Sequence, residues 1–111
     1  MLLKDYQYEH AVDVPFEGWE KFDREKDKII ESLEYHFGRA KAEKIYKIIN
    51  ANWNSFEGHE AVVIKVEDYD CLAIVTDEFT PIEISDFIYP FDNETIYPMQ
   101  MLESKLYFKR Y

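Results

Sequence analysis

The apolar rhythm of this chain changes at Gly58, and that change limits the folds open to it. Before Gly58 the large apolar residues return every three or four positions. Trp19, Phe22, Ile29, Ile30, Leu33 and Phe37 form one series, and Ala42, Ile45, Tyr46, Ile49, Trp53 and Phe56 a second. Such spacing lays an apolar stripe along one side of a helix. Gly38 lies between the two series, where it can end the first helix in a left-handed conformation. Two helices joined this closely are expected to form an αα-hairpin.

After Gly58 the period falls to two. Residues 60–67 and 71–76 are rich in β-branched and apolar side chains and read as strands. Only Asp68, Tyr69 and Asp70 separate them, which predicts a β-hairpin with Tyr69 at its tip. Pro81, Pro90 and Pro98 divide the rest. Strands are expected there at 82–84, 87–89 and 106–109, with a turn over 92–95. A short strand over 2–9 would place Leu2, Tyr6 and Tyr8 on one face, ahead of a connection at 11–18 that contains Pro15. The expectation is one α+β domain over residues 1–111, with a helical hairpin packed on one face of a mainly antiparallel sheet. The opposite face is expected to carry acids and exposed rings.

At 111 residues, 47% of them hydrophobic and 17% aromatic, the chain can bury one real core without disulfides or a structural metal. Its lone cysteine, Cys71, excludes an internal disulfide and fits a reducing compartment. The first residues hold no apolar stretch of signal-sequence length, and no run approaches a membrane span. A cytoplasmic address is expected, with no membrane partner.

Charge is the second constraint. The net charge is −10. Residues 1–55 carry nine Lys and Arg against eleven acids, and residues 56–111 carry four against twelve. Acids interleaved with rings and β-branched residues describe a folded module with a negative surface rather than a disordered tail. A field of that sign attracts basic partners and repels nucleic acid and anionic lipid. Direct nucleic-acid binding is disfavoured on the same ground, and the basic stripe Arg39, Lys41, Lys44 and Lys47 reads as a solvated helix face.

Motifs for chemistry are lacking. His10, His36 and His59 stand at no metal-ligand spacing from one another or from Cys71. Three glycines build no phosphate-cradling loop. The carboxylate pairs Asp68 with Asp70, Asp77 with Glu78 and Asp92 with Glu94 lack the Asp-x-Asp-x-Asp-Gly pattern of a calcium loop. No cofactor, metal or catalytic residue is expected.

The stretch from Asp86 to Asp92 sets Phe87, Ile88, Tyr89 and Phe91 between two acids. Aromatic anchors ringed by charge describe a protein–protein hot spot. With the acidic turns, this gives a candidate partner-binding set of Asp68, Tyr69, Asp70, Asp77, Glu78, Asp86, Tyr89, Asp92 and Glu94. The turns and the Asp77-Glu78 connection are expected to converge along one rim, suited to the positive groove of a nuclease.

In size, lone cysteine, acidic balance and aromatic-rich strands, such as those holding Tyr89 and Tyr97, the chain resembles the small acidic immunity proteins of bacteria. These include the proteins of contact-dependent inhibition and colicin-type systems. The resemblance implies a tight, non-catalytic inhibitor, an immunity protein or antitoxin, that blocks a basic toxin domain such as a nuclease. Two other readings stand beside it. One is a phage-type DNA mimic that blocks a restriction or CRISPR nuclease. The other is a small enzyme or accessory subunit that uses a carboxylate pair such as Asp77 and Glu78.

Overall fold

The computed structural model describes residues 2–14, 18–77, 82–91, 98–102 and 105–108. A short 3-10 turn at Leu3–Asp5 precedes β1 (Tyr8–Asp13). Four helices follow: α1 (Trp19–Arg24), α2 (Lys26–Phe37), α3 (Arg39–Ala51) and the single turn α4 (Trp53–Phe56). The strands β2 (Glu60–Val66), β3 (Tyr69–Asp77), β4 (Glu83–Pro90), β5 (Met99–Leu102) and β6 (Lys105–Phe108) complete the order. All six strands stand in chain order in one sheet, each antiparallel to its neighbour. The fold is α+β, with the helices inserted between β1 and β2 and packed on one face of the sheet.

Each helical series is broken once, for a local reason. Between Phe22 and Ile29 the chain offers only charged residues, so no apolar anchor pins that stretch. The break falls at Glu25 (φ −96°, ψ 21°). At the end of α3 the Asn52 amide donates to the Ile48 carbonyl at 2.8 Å. An asparagine bonded to its own backbone in this way competes with the helical ladder. Gly38 joins α2 to α3 with φ 82° and ψ 162°. That is not the left-handed helical conformation expected but an extended positive-φ one, essentially open to glycine alone. Its N–H bonds the Glu34 carbonyl while its own carbonyl accepts from Ala42, so one residue caps both helices.

The helix-side core joins Phe22, Ile45, Ile49, Trp53 and Phe56 to Val12, Ala61, Val63, Leu72, Ile74 and Tyr89 of the sheet. Phe22 stacks on Tyr46 with centroids 4.8 Å apart and planes 7° apart. Phe56 meets Tyr89 at 4.9 Å.

The other face of the sheet is not the open acidic surface expected. It holds a second core of Val62, Ile64, Val66, Cys71, Ala73, Val75, Ile84 and Ile88, with Leu3 set among them. Burial on both sides explains the unbroken apolar run Ala61-Val62-Val63-Ile64, since such a strand has no solvent face to give to polar residues.

The N-terminal segment lies over this second core. Leu2 forms a bridge with Glu83, and the Leu3 N–H donates to the Ile82 carbonyl at 2.9 Å. Five residues on, Tyr8 pairs with Ile64. The segment therefore runs from the outer edge of β4 to the outer edge of β2. In a flat sheet those positions lie four strand spacings, about 19 Å, apart across the strands, and they are further offset along them because Glu83 and Ile64 pair six positions apart on β3, at Asp77 and Cys71. A segment of this length containing a 3-10 turn reaches only about 16 Å. The sheet must curl around the second core for the strap to close.

Two details shape the hairpins. The β2–β3 turn is Glu67–Asp68, with Glu67 at φ 56°, so Tyr69 is the first residue of β3 and not the tip. Residues 82–84 and 87–89, expected as separate strands, fall on one strand, β4, with Ile82 just before its start. One residue separates Ala73 from Val75, but three separate their partners Ile88 and Ile84. The extra length forms a bulge in which the Phe87 N–H donates to Ser85 Oγ at 3.1 Å.

Candidate protein interface

Strand alternation divides the expected hot spot. Residues paired across an antiparallel ladder share a face. Tyr69 pairs with Val66, so it stands on the strap side with the second core. Asp70, one residue on, points toward the helices. Its Oδ1 lies 3.0 Å from Lys65 Nζ, and its Oδ2 lies 3.9 Å from Lys41 Nζ. The nearer contact holds that buried oxygen by charge rather than by a well-aligned hydrogen bond. Asp70 thus ties the β2–β3 hairpin to α3, and its partly exposed carboxylate stands on the helix side against two lysines, apart from Tyr69.

Tyr89 is corrected from partner anchor to core residue. It is 3% exposed and packs on Phe56 in the helix-side core. The acids that bracket it in sequence leave it on the inward side of β4, because alternation ignores sequence neighbours. The single converging rim is corrected as well. Asp68 and Asp77 lie at opposite ends of the nine-residue β3, roughly 25–30 Å apart. Glu78, Asp92 and Glu94 lie outside the described residues. Phe91, just before Asp92, donates its N–H to the Asp70 carbonyl at 3.0 Å, so β4 ends beside the β2–β3 turn.

Among the candidates whose side chains are described, three are on the exposed surface, namely Asp68 in the turn, Tyr69, and Asp86 in the bulge of β4. The structure joins them to Asp5, Tyr6 and Tyr8, which the sequence reading left out of the set. Tyr8 is 56% exposed and Tyr69 58% exposed. Tyr8 pairs with Ile64 and Tyr69 with Val66, next-but-one positions on one face of β2. Two strand spacings and one pleat repeat put their backbone positions about 12 Å apart. Tyr6 stands at the corner of this group, next to Tyr8 on the line of β1 and across β2 from Tyr69, half-buried against the second core. Its register follows from the Gln7 carbonyl, which accepts the Lys65 N–H at 2.9 Å and sets Tyr6 level with Val66. Burial pushes the Tyr6 phenol above its ordinary value, and the carboxylates of Asp5 and Asp86 push it further in the same direction. The result is a cluster of three tyrosines rimmed by Asp5, Glu67, Asp68 and Asp86. The alternation of Tyr6 and Tyr8 was visible in the sequence, but not the strand beside which it would lie.

A groove of about 340 Å³ opens elsewhere, between the end of β1 and the helices α1 and α2. Phe22, Ile29, Leu33 and Phe37 line it, with Lys21 and Glu25 on its walls. None of the described candidates belongs to it. Among the described residues no group of three or more His, Cys, Asp or Glu is placed to hold a metal ion. No helix among them is long and apolar enough to cross a membrane. Compared with protein-family models, curated proteins and solved structures, the chain finds no match.

Proposed function

We propose that this protein is a stoichiometric inhibitor, an immunity protein or antitoxin, that docks a cationic toxin domain on the side of the sheet away from its helices. The observation that carries the reading is how charge divides between the layers. Residues 19–56, which form the helical layer, hold eight Lys and Arg against seven acids, net +1. The described residues of the N-terminal segment, the strands and their connections hold three Lys against eleven acids, net −8. Solubility alone needs no such division. A protein that must attract a basic partner in one orientation gains from it, because a one-sided field steers encounter and raises the association rate. The exposed tyrosines on that same side supply anchors of the kind that hold an interface once formed. A nuclease domain, with a groove built for phosphate, is the partner this charge best suits.

The test is co-purification with the product of the adjacent gene, with association rates measured at about 0.1 and 0.5 M salt. A one-to-one complex that forms more slowly at the higher salt is expected, as is rescue of cells producing the neighbour alone. Reversing Asp68 and Asp86 to Lys removes rim charge without touching a core contact, and it should slow association about tenfold at low salt. Asp70 is left intact in this test because its loss would loosen the hairpin. Absence of a complex at both salt concentrations, or failure to protect cells, removes the reading.

A further inference from the structure

We infer that the tyrosine cluster of the strap side, Tyr8, Tyr6 and Tyr69, is an arginine-binding surface, on which the partner lays guanidinium groups across the exposed rings. The inference rests on the cationic-partner reading above and adds to it which cation is recognised and where.

Three observations meet at this place. First, Tyr8 and Tyr69 are more than half exposed on the sheet face that also carries the second core. Second, the cluster is rimmed on both sides by carboxylates. Glu67 and Asp68 precede Tyr69 in the turn, and Asp5 and Asp86 act on the Tyr6 hydroxyl from the strap and from the β4 bulge. Against these four acids stands Lys4 of the strap. Third, the spacing suits a chain rather than a point. Tyr8 and Tyr69 stand about 12 Å apart with Tyr6 beside both, a span that an extended segment covers in three or four residues.

The chemistry selects arginine over lysine. A guanidinium is planar and weakly hydrated, so it can stack on a ring face while its in-plane donors reach carboxylates at the edge. An ammonium group holds its water more tightly and meets the same rim as a point charge. Other occupants fit less well. A second copy of this chain would bring another −10 and the same acidic rim, placing like charge against like. Nucleic acid and anionic lipid are repelled for the same reason.

The experiment uses the full chain and two fluorescent probes, an eight-residue arginine peptide and an eight-residue lysine peptide. Affinity is read by anisotropy at low salt and again at about 0.3 M salt. The arginine peptide should bind about tenfold more tightly than the lysine peptide. The double substitution Tyr8→Ala with Tyr69→Ala should erase that preference while leaving lysine-peptide binding in place. Tyr35→Ala, which removes a ring 86% exposed on α2, should leave the preference unchanged. The comparison of the two peptides on the unaltered chain stands even if the double variant folds poorly. Equal, salt-sensitive binding of both peptides would overturn the arginine surface and leave the cationic-partner reading standing. Binding of neither peptide would remove both, and an unchanged preference in the folded double variant would move the site elsewhere.

Discussion

Replacing Tyr89 by alanine separates the two roles that the sequence allowed it, core residue or partner anchor. The ring is 3% exposed and lies 4.9 Å from Phe56. A buried aromatic removes about 150–250 Å² from water, which at about 25 cal/mol per Å² corresponds to roughly 4–6 kcal/mol. A denatured chain that already hides some of this area lowers the figure to roughly 3–4 kcal/mol. The lost aromatic pair and the residual cavity restore some of it, so about 3–5 kcal/mol is expected, in line with large-to-small changes in other cores. Against a total stability of roughly 5–15 kcal/mol that is a severe loss, equivalent to a fall of roughly 15–20 °C in Tm. Urea titration followed by tryptophan fluorescence measures it, since Trp53 packs in the same core. The midpoint should fall with an unchanged m-value. Tyr89→Phe, which keeps the ring, should cost no more than about 1.5 kcal/mol. Tyr69→Ala should stay within about 0.5 kcal/mol, because its ring is mostly in water. A loss under 1 kcal/mol for Tyr89→Ala would refute the packing described here and return Tyr89 to the surface.

Leu3→Ala tests the strap. Leu3 is 6% exposed within the second core, so its truncation should cost about 2–4 kcal/mol and speed hydrogen exchange in β4; no effect on either would mean that the segment does not seal that core. Tyr6 gives a dependence on alkaline pH. Its folded value lies above that of the unfolded chain, chiefly through burial and further through Asp5 and Asp86. Well below pH 10 both states keep the phenolic proton and the contribution is fully present. As pH rises further the unfolded chain ionises first, so stability falls until the folded value is passed. Tyr6→Phe should flatten that decline in pH-dependent urea midpoints, and an unaltered decline would show that another group governs it.

The helices and the β2–β3 hairpin were legible because their cause is local. A stripe such as Ile45, Ile49, Trp53 and Phe56 needs one apolar surface to pack on, whatever that surface proves to be. The second core was not legible. The run Ala61-Val62-Val63-Ile64 reads as a strand either way, and only the strap from a distant part of the chain decides that both its faces are dry. The candidate site failed for a related reason. Asp70 and Tyr89 were chosen by the company they keep in sequence, but a strand sends sequence neighbours to opposite faces. Tyr69 and Asp70 differ by one position, yet one is exposed beside the second core and the other is tied to Lys65 and Lys41 on the helix side. Tyr8, 61 positions earlier than Tyr69, shares its face.

The strap therefore has two roles. By covering the second core it removes the apolar surface that a sheet of this kind would otherwise offer indiscriminately to any partner. By carrying Asp5, Tyr6 and Tyr8 across the curled sheet it sets in its place a surface of rings and carboxylates, on which a partner must bring positive charge to gain anything. The tyrosine cluster exists only while the strap is seated, because Tyr6 joins it from the strap and Tyr8 from the strand the strap leads into. Stability of the second core and selectivity of the surface above it are thus coupled through the same residues, with Leu3 beneath and Tyr6 and Tyr8 above. A chain that lost the strap would keep its helix-side core and most of its acids, but it would lose the arrangement that tells one cation from another.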